Sequence, residues 1–197
     1  KNLLEYDDFL EFYADSYSLQ SLVPGTFGDG VYGAAESQDF YVLFYRKDIL
    51  ENLGLSVPDT WDDVKAMMPV LLRYGMNFFM PLSGGAGYKG FALTSPFIYQ
   101  NDSGYVTDDG TASLFDTDNF IDAMQEMTDL YKIYGMNTSL PSFYNSFRSG
   151  EVPIGISTFG TYMQLQVAAP ELAGKWGIAL TPGTKQEDGA ILRYQPA

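Results

Sequence analysis

The chain has 197 residues, 11 Lys and Arg against 25 Asp and Glu, a formal net charge of −14, and neither histidine nor cysteine. An apolar share of 46% excludes disorder, and the length predicts one large domain, or one and a piece of another. Without His or Cys there is no Ser-His-Asp triad, Cys nucleophile, imidazole or thiolate zinc site or disulfide, and the charge argues against nucleic acid or an anionic membrane as partner.

Along the chain, Leu4, Phe9, Leu10, Phe12 and Tyr13 lie among acids and predict an amphipathic helix over 4–17. Residues 21–35 hold Pro24, Gly25, Gly28, Gly30 and Gly33 and predict loop or hairpin. Asp39 to Tyr45 predicts a strand buried on both faces, followed by a short helix over Ile49–Leu53 that Gly54 closes. Its run Phe40 to Tyr45 is the longest apolar stretch, far short of the ~18 residues of a spanning helix. Thr60-Trp61-Asp62-Asp63 has capping-box spacing, and Val64, Met67, Met68, Leu71 and Leu72 form the buried stripe of the helix it starts. Pro69 is expected to kink or divide that helix.

Asn77–Leu82 predicts a strand, 83–87 a glycine-rich turn and Tyr88–Gln100 a helix interrupted by Pro96. Asp102-Ser103-Gly104 and Asp108-Asp109-Gly110 flank Tyr105-Val106 as turns of a small hairpin. Asp116 or Thr117 caps a helix carrying Phe120, Met124, Met127, Tyr131 and Tyr134 and ending at Gly135. Then come a helix over Ser142–Arg148, a strand over Val152–Ser157, a helix from Gly160 to Val167, and strands at Trp176–Leu180 and Ile191–Tyr194. Helices and short strands interleave, so the class is α/β. The chain opens Lys1-Asn2-Leu3 and stops at Tyr194-Gln195-Pro196-Ala197, which reads as an excised piece of something longer.

Three local patterns were weighed for chemistry. Gly85-Ala86-Gly87-Tyr88-Lys89-Gly90 nearly spells a dinucleotide fingerprint, but an acidic ribose ligand about 20 residues on is missing from a following strand. Asp102, Asp108, Asp109 and Asp116 do not match a calcium loop and read as turn residues. Paired carboxylates of a glycosidase remain an alternative that 25 acids cannot discriminate. The aromatic share of 16%, with 15 Tyr, suits half-wet clefts as well as a core.

Two blocks carry a family resemblance. Leu43-Phe44-Tyr45-Arg46-Lys47-Asp48-Ile49-Leu50, then Gly54-Leu55, then Pro58-Asp59-Thr60-Trp61-Asp62-Asp63 resembles the signature of family 1 extracellular solute-binding proteins. Phe147-Arg148-Ser149-Gly150-Glu151-Val152-Pro153-Ile154-Gly155-Ile156 is similar to a helix-to-strand turn of that family, with Gly160-Thr161-Tyr162 at its Gly-x-Trp position. Arg46 and Tyr162 depart from the usual Asn and Trp.

The resemblance implies a periplasmic-binding-protein-like (type II) lobe, a mixed sheet flanked by helices. Residues 1–40 would be part of an N-terminal lobe and hinge entry, 41–185 a C-terminal lobe, and 186–197 a return crossing. It implies a monomeric, non-enzymatic receptor without cofactor, capturing a sugar or oligosaccharide for the membrane permease of an ABC importer. Its place would be the bacterial cell surface, lipid-anchored, or the periplasm. Glu36, Asp39, Tyr88, Phe159 and Tyr162 are the implied ligand-binding residues. Asp39 has a second reading as ion-pair partner of Arg46 or Lys47, Phe159 one as a core residue, and Trp61 and Trp176 read as structural.

Overall fold

The computed structural model of the chain describes residues 1–35, 40–80 and 87–194, with backbone alone at residue 24 and residues 87–93. The chain divides into two compact units, within residues 1–39 and 40–196.

In the first unit, the Asn2 side chain accepts from the Leu4 amide at 3.1 Å, capping a 3₁₀ turn over Leu3–Glu5, and from the Val31 amide at 2.9 Å. Helix α1 (Phe9–Ala14) follows, then a 3₁₀ turn over Leu19–Gly25 and the hairpin β1 (Thr26–Phe27) and β2 (Gly30–Val31). The helix expected over 4–17 is therefore broken, because Asp8 sits left-handed at φ 64° and makes no capping hydrogen bond. Its apolar face is also not the buried one. Tyr13 is buried with Leu22 and Val31, whereas Phe12 is 76% exposed and Leu10 46%. The Tyr13 hydroxyl meets Ser21 Oγ at 2.8 Å and donates to the Ala35 carbonyl at 3.1 Å.

The second unit opens with β3 (Tyr41–Arg46), α2 (Lys47–Leu53), α3 (Trp61–Arg73), β4 (Phe78–Phe79) and α4 (Gly87–Gln100). It continues with α5 (Asp118–Lys132), α6 (Phe143–Ser149), β5 (Ile154–Thr158) and α7 (Gly160–Ala168). The last strands are β6 (Trp176–Ala179), β7 (Thr184–Lys185) and β8 (Ile191–Leu192). Four of these strands form a mixed sheet in the order β4-β5-β3-β6. Strands β5 and β6 run antiparallel to β3, and β4 runs parallel to β5.

Strand alternation sends β3 into two cores. Leu43 joins a cluster with Trp61, Met68, Leu71, Phe97 and Leu130, so α3, α4 and α5 cover that face. Val42 and Phe44 join Phe147, Leu165 and Leu172 on the other, under α6 and α7. Gly155 is required in β5, since a Cβ there would lie 2.7 Å from the Phe143 ring and 2.8 Å from the Phe79 carbonyl. A mixed sheet between helices is thus formed within this unit.

Several elements follow from local chemistry. The Thr60 hydroxyl accepts from the Asp63 amide at 3.2 Å while Asp63 accepts from the Thr60 amide at 2.9 Å, completing the capping box. Gly54 ends α2 at φ 66°, and Thr117 rather than Asp116 caps α5. Three expectations need correction. Pro69 does not divide α3, which is continuous over Trp61–Arg73, and it lies on the exposed face, where a carbonyl left without a donor can meet water. Leu72, expected in the stripe, is 44% exposed. The buried centre of α5 is Ala123, Met127 and Leu130, with Phe120, Met124 and Tyr131 flanking it. The strand expected over 77–82 is Phe78–Phe79 among the described residues, with Pro81 and Leu82 outside them. Among the described residues no helix is long and apolar enough to cross a membrane.

Candidate functional site

One edge of the sheet gathers strand C-termini: β5 ends at Thr158, β4 at Phe79 and β6 at Ala179, while β3 begins there at Tyr41. Edges where strands end and helices begin are where α/β lobes place ligands. The chain turns from β5 into α7 at Phe159, whose amide donates to the Phe40 carbonyl at 2.9 Å. The pairing brings three rings into one stack. Phe40 lies 5.0 Å from Phe159 with 21° between planes, and Phe159 lies 5.2 Å from Tyr162 with 6°. All three are partly exposed, so the stack is a ledge and not a core.

Small hydroxyls border the ledge. Ser157 Oγ and Thr161 Oγ1 are 2.8 Å apart, and Gln166 Nε2 donates to the Tyr162 hydroxyl at 3.2 Å. Phe159, the cap position of α7, has no side-chain oxygen, and its carbonyl accepts from the Tyr162 amide at 2.9 Å. Ser, Thr, Gln, Phe and Tyr are all neutral here. Apolar ring faces beside neutral donors and acceptors suit an uncharged hydroxylated molecule. Beside this edge the Tyr131 hydroxyl donates to the Met80 carbonyl at 2.8 Å, and burial pushes the phenol's pKa up.

Of the five residues singled out in the sequence, Phe159 and Tyr162 are brought together. Glu36 and Asp39 lie outside the described residues. Tyr88 stands in the first turn of α4, with its backbone alone described. Phe159 packs on the second core and stacks with both Phe40 and Tyr162. The Arg46 fork is occupied, with Asp48 on Nε at 2.8 Å and Nη2 at 2.7 Å and the Phe147 and Arg148 carbonyls on Nη1. Trp61 is 1% exposed, stacks on Phe97 at 4.3 Å and donates to Gln100 Oε1 at 2.9 Å, a structural residue.

Phe40 is absent from the five residues singled out in the sequence, because its place beside Phe159 follows from the antiparallel pairing of β3 with β5. Trp176 was read as structural. It packs on Phe44 and Tyr162 but is only partly buried.

Asp109 is a turn residue. It accepts from Thr107 Oγ1 at 2.6 Å, the Thr111 amide at 3.1 Å and Thr111 Oγ1 at 2.8 Å, and these bonds lower its pKa to about 2.

A family model described as bacterial extracellular solute-binding protein matches residues 3–195. The chain belongs to that family. A search of curated proteins finds no match. Solved structures share the fold of this solute-binding protein at low identity. T. maritima MalE3 with maltose has a TM-score of 0.78 and 19% identity over 99% of this chain and 50% of that one. A sugar transporter from Arthrobacter chlorophenolicus A6 with bound laminaribiose has 0.73 and 17% over 98% and 48%. The Listeria monocytogenes protein Lmo0181 with cycloalternan has 0.72 and 18% over 94% and 48%. The chain therefore spans about half the length of the structures it matches.

Proposed function

We propose that this solute-binding protein is one lobe of a two-lobed receptor that captures a neutral sugar for an ABC importer. The ledge of Phe40, Phe159 and Tyr162 beside Ser157 and Thr161 carries the reading. A pyranose has apolar C–H faces and a rim of hydroxyls. Stacked on an aromatic ring, it replaces water on the face and hydrogen-bonds at the rim. Glu36, Asp39 and Tyr88 are proposed to complete the contacts from the hinge and from α4. A second lobe closing over this edge would exclude water, and a membrane permease would receive the solute. The protein acts outside the cytoplasmic membrane, held there by a lipid anchor.

Capture and delivery of a solute need no catalytic step.

Calorimetry on the chain extended to both lobes tests the ledge. With a maltooligosaccharide as probe, Tyr162→Ala is expected to weaken binding by about 10-fold, as the loss of one stacking face of about 1 kcal/mol or more implies. Tyr162→Phe should retain most of the affinity. An unchanged affinity in Tyr162→Ala would refute the assignment.

A further inference from the structure

Beside the ledge, a groove of about 260 Å³ runs between α7 and β6. Tyr162, Gln166 and Pro170 line one side, and Trp176, Gly177 and Ile178 the other. Tyr162 belongs to both features. Its ring lies nearly parallel to that of Phe159 at 5.2 Å and meets Trp176 at 5.5 Å with 69° between planes. Two rings set nearly at right angles make a floor and a wall. Strand β6 is an edge strand of the sheet, and Tyr162 joins the groove to the ledge.

The geometry points to a second glycan subsite in this groove, taking the sugar units of an oligosaccharide that continue past the ledge. The lining supplies what a glycan uses: an indole and a phenol face for C–H contacts, and the Gln166 amide for hydroxyls, with no charged side chain among these residues. A charged or purely aliphatic ligand fits this mixture less well. The proposal rests on the sugar-receptor reading and narrows it to chains longer than the ledge alone holds. Every residue of the groove lies in the second unit, so binding there requires no second lobe.

The chain's 2 tryptophans provide the assay. Trp61 is sealed in the core with its indole N–H bonded to Gln100, whereas Trp176 lines the groove. In ¹⁵N-labelled protein of 197 residues, the two indole resonances are assigned with Trp176→Phe and followed against maltotetraose and laminaritetraose. The expected result is a saturable shift of the Trp176 resonance at millimolar tetrasaccharide, a still Trp61 resonance, and a much smaller response to glucose. Ile178→Arg, which places a long side chain in the groove from an exposed strand position, should abolish the shift; Trp61 then reports that the variant is folded. No shift with either tetrasaccharide, or the same shift in Ile178→Arg, overturns the subsite. A Trp176 shift in this chain without any sugar-dependent stabilisation of the two-lobed protein would leave the groove standing and sink the transport reading.

Discussion

Arg46 stands where the resemblance has asparagine, and its neighbours show why a charge is tolerated there. The guanidinium is nearly buried, yet Asp48 and two carbonyls take its donors, tying the end of β3 to the start of α2 and the end of α6. The hydrogen bond from Arg46 holds the Asp48 carboxyl below its ordinary value of 3.8. A lowered folded pKa contributes stability above the unfolded value and loses it as pH falls through the folded one. Asp48→Asn should therefore cost about 2 kcal/mol at pH 7, because a buried charge loses its partner. The deficit should begin to shrink as pH falls below 3.8 and vanish only beneath the lowered folded value, where the wild-type carboxyl also becomes neutral. Denaturant melts at both pH values check this, and an equal deficit at each would contradict it. At this scale the site was half legible. Phe159 and Tyr162 sit in a linear motif, whereas Phe40 acquires its place only when β3 and β5 pair. Trp176 reaches the groove through the pairing of Trp176 with Arg46 across β3 and β6.

Elements written in short-range chemistry were the legible ones. The capping box of α3, the left-handed Gly54 and the hydroxyl cap of α5 depend on residues within four positions of each other. Burial raises the Asp63 pKa, but hydrogen bonds from Thr60 outweigh it and keep the carboxylate charged at the helix start. Thr60→Ala is expected to cost about 1 kcal/mol, with the melting temperature falling accordingly. A melting temperature equal to wild type would mean that the box adds nothing to stability. Periodicity was the weaker guide. The pattern over 4–17 was real, but a stripe is buried only if something lies against it, and Asp8 breaks the chain there. Pro69 leaves α3 undivided for a similar reason: a proline's effect depends on which face of the helix it occupies.

Over the whole molecule the two units differ in how much they bury. The first has a core of Tyr13, Leu22 and Val31, while Phe12 and Phe27 are 76% and 84% exposed. So small a core cannot offset the ordering of more than 30 residues with the margin that the second unit has. Chymotrypsin should cut first at Phe12 or Phe27 and leave a resistant fragment beginning near Phe40. Survival of the first unit for as long as the second would contradict that ranking. The fold class was legible from the alternation of strands and helices. The sheet order was not, since β4-β5-β3-β6 depends on pairings between residues 76 to 136 positions apart.

The central claim, a receptor for a neutral sugar that performs no chemistry on it, is tested most directly by thermal shift on the chain extended to both lobes. A ligand that binds only the folded state stabilises it by about 2.7 kcal/mol at one hundred times its dissociation constant. Screened against neutral oligosaccharides, amino acids, peptides and polyols, the protein should gain several degrees with an oligosaccharide and return that sugar uncleaved. Stabilisation confined to a peptide or amino acid, or release of a shortened sugar, would contradict the account.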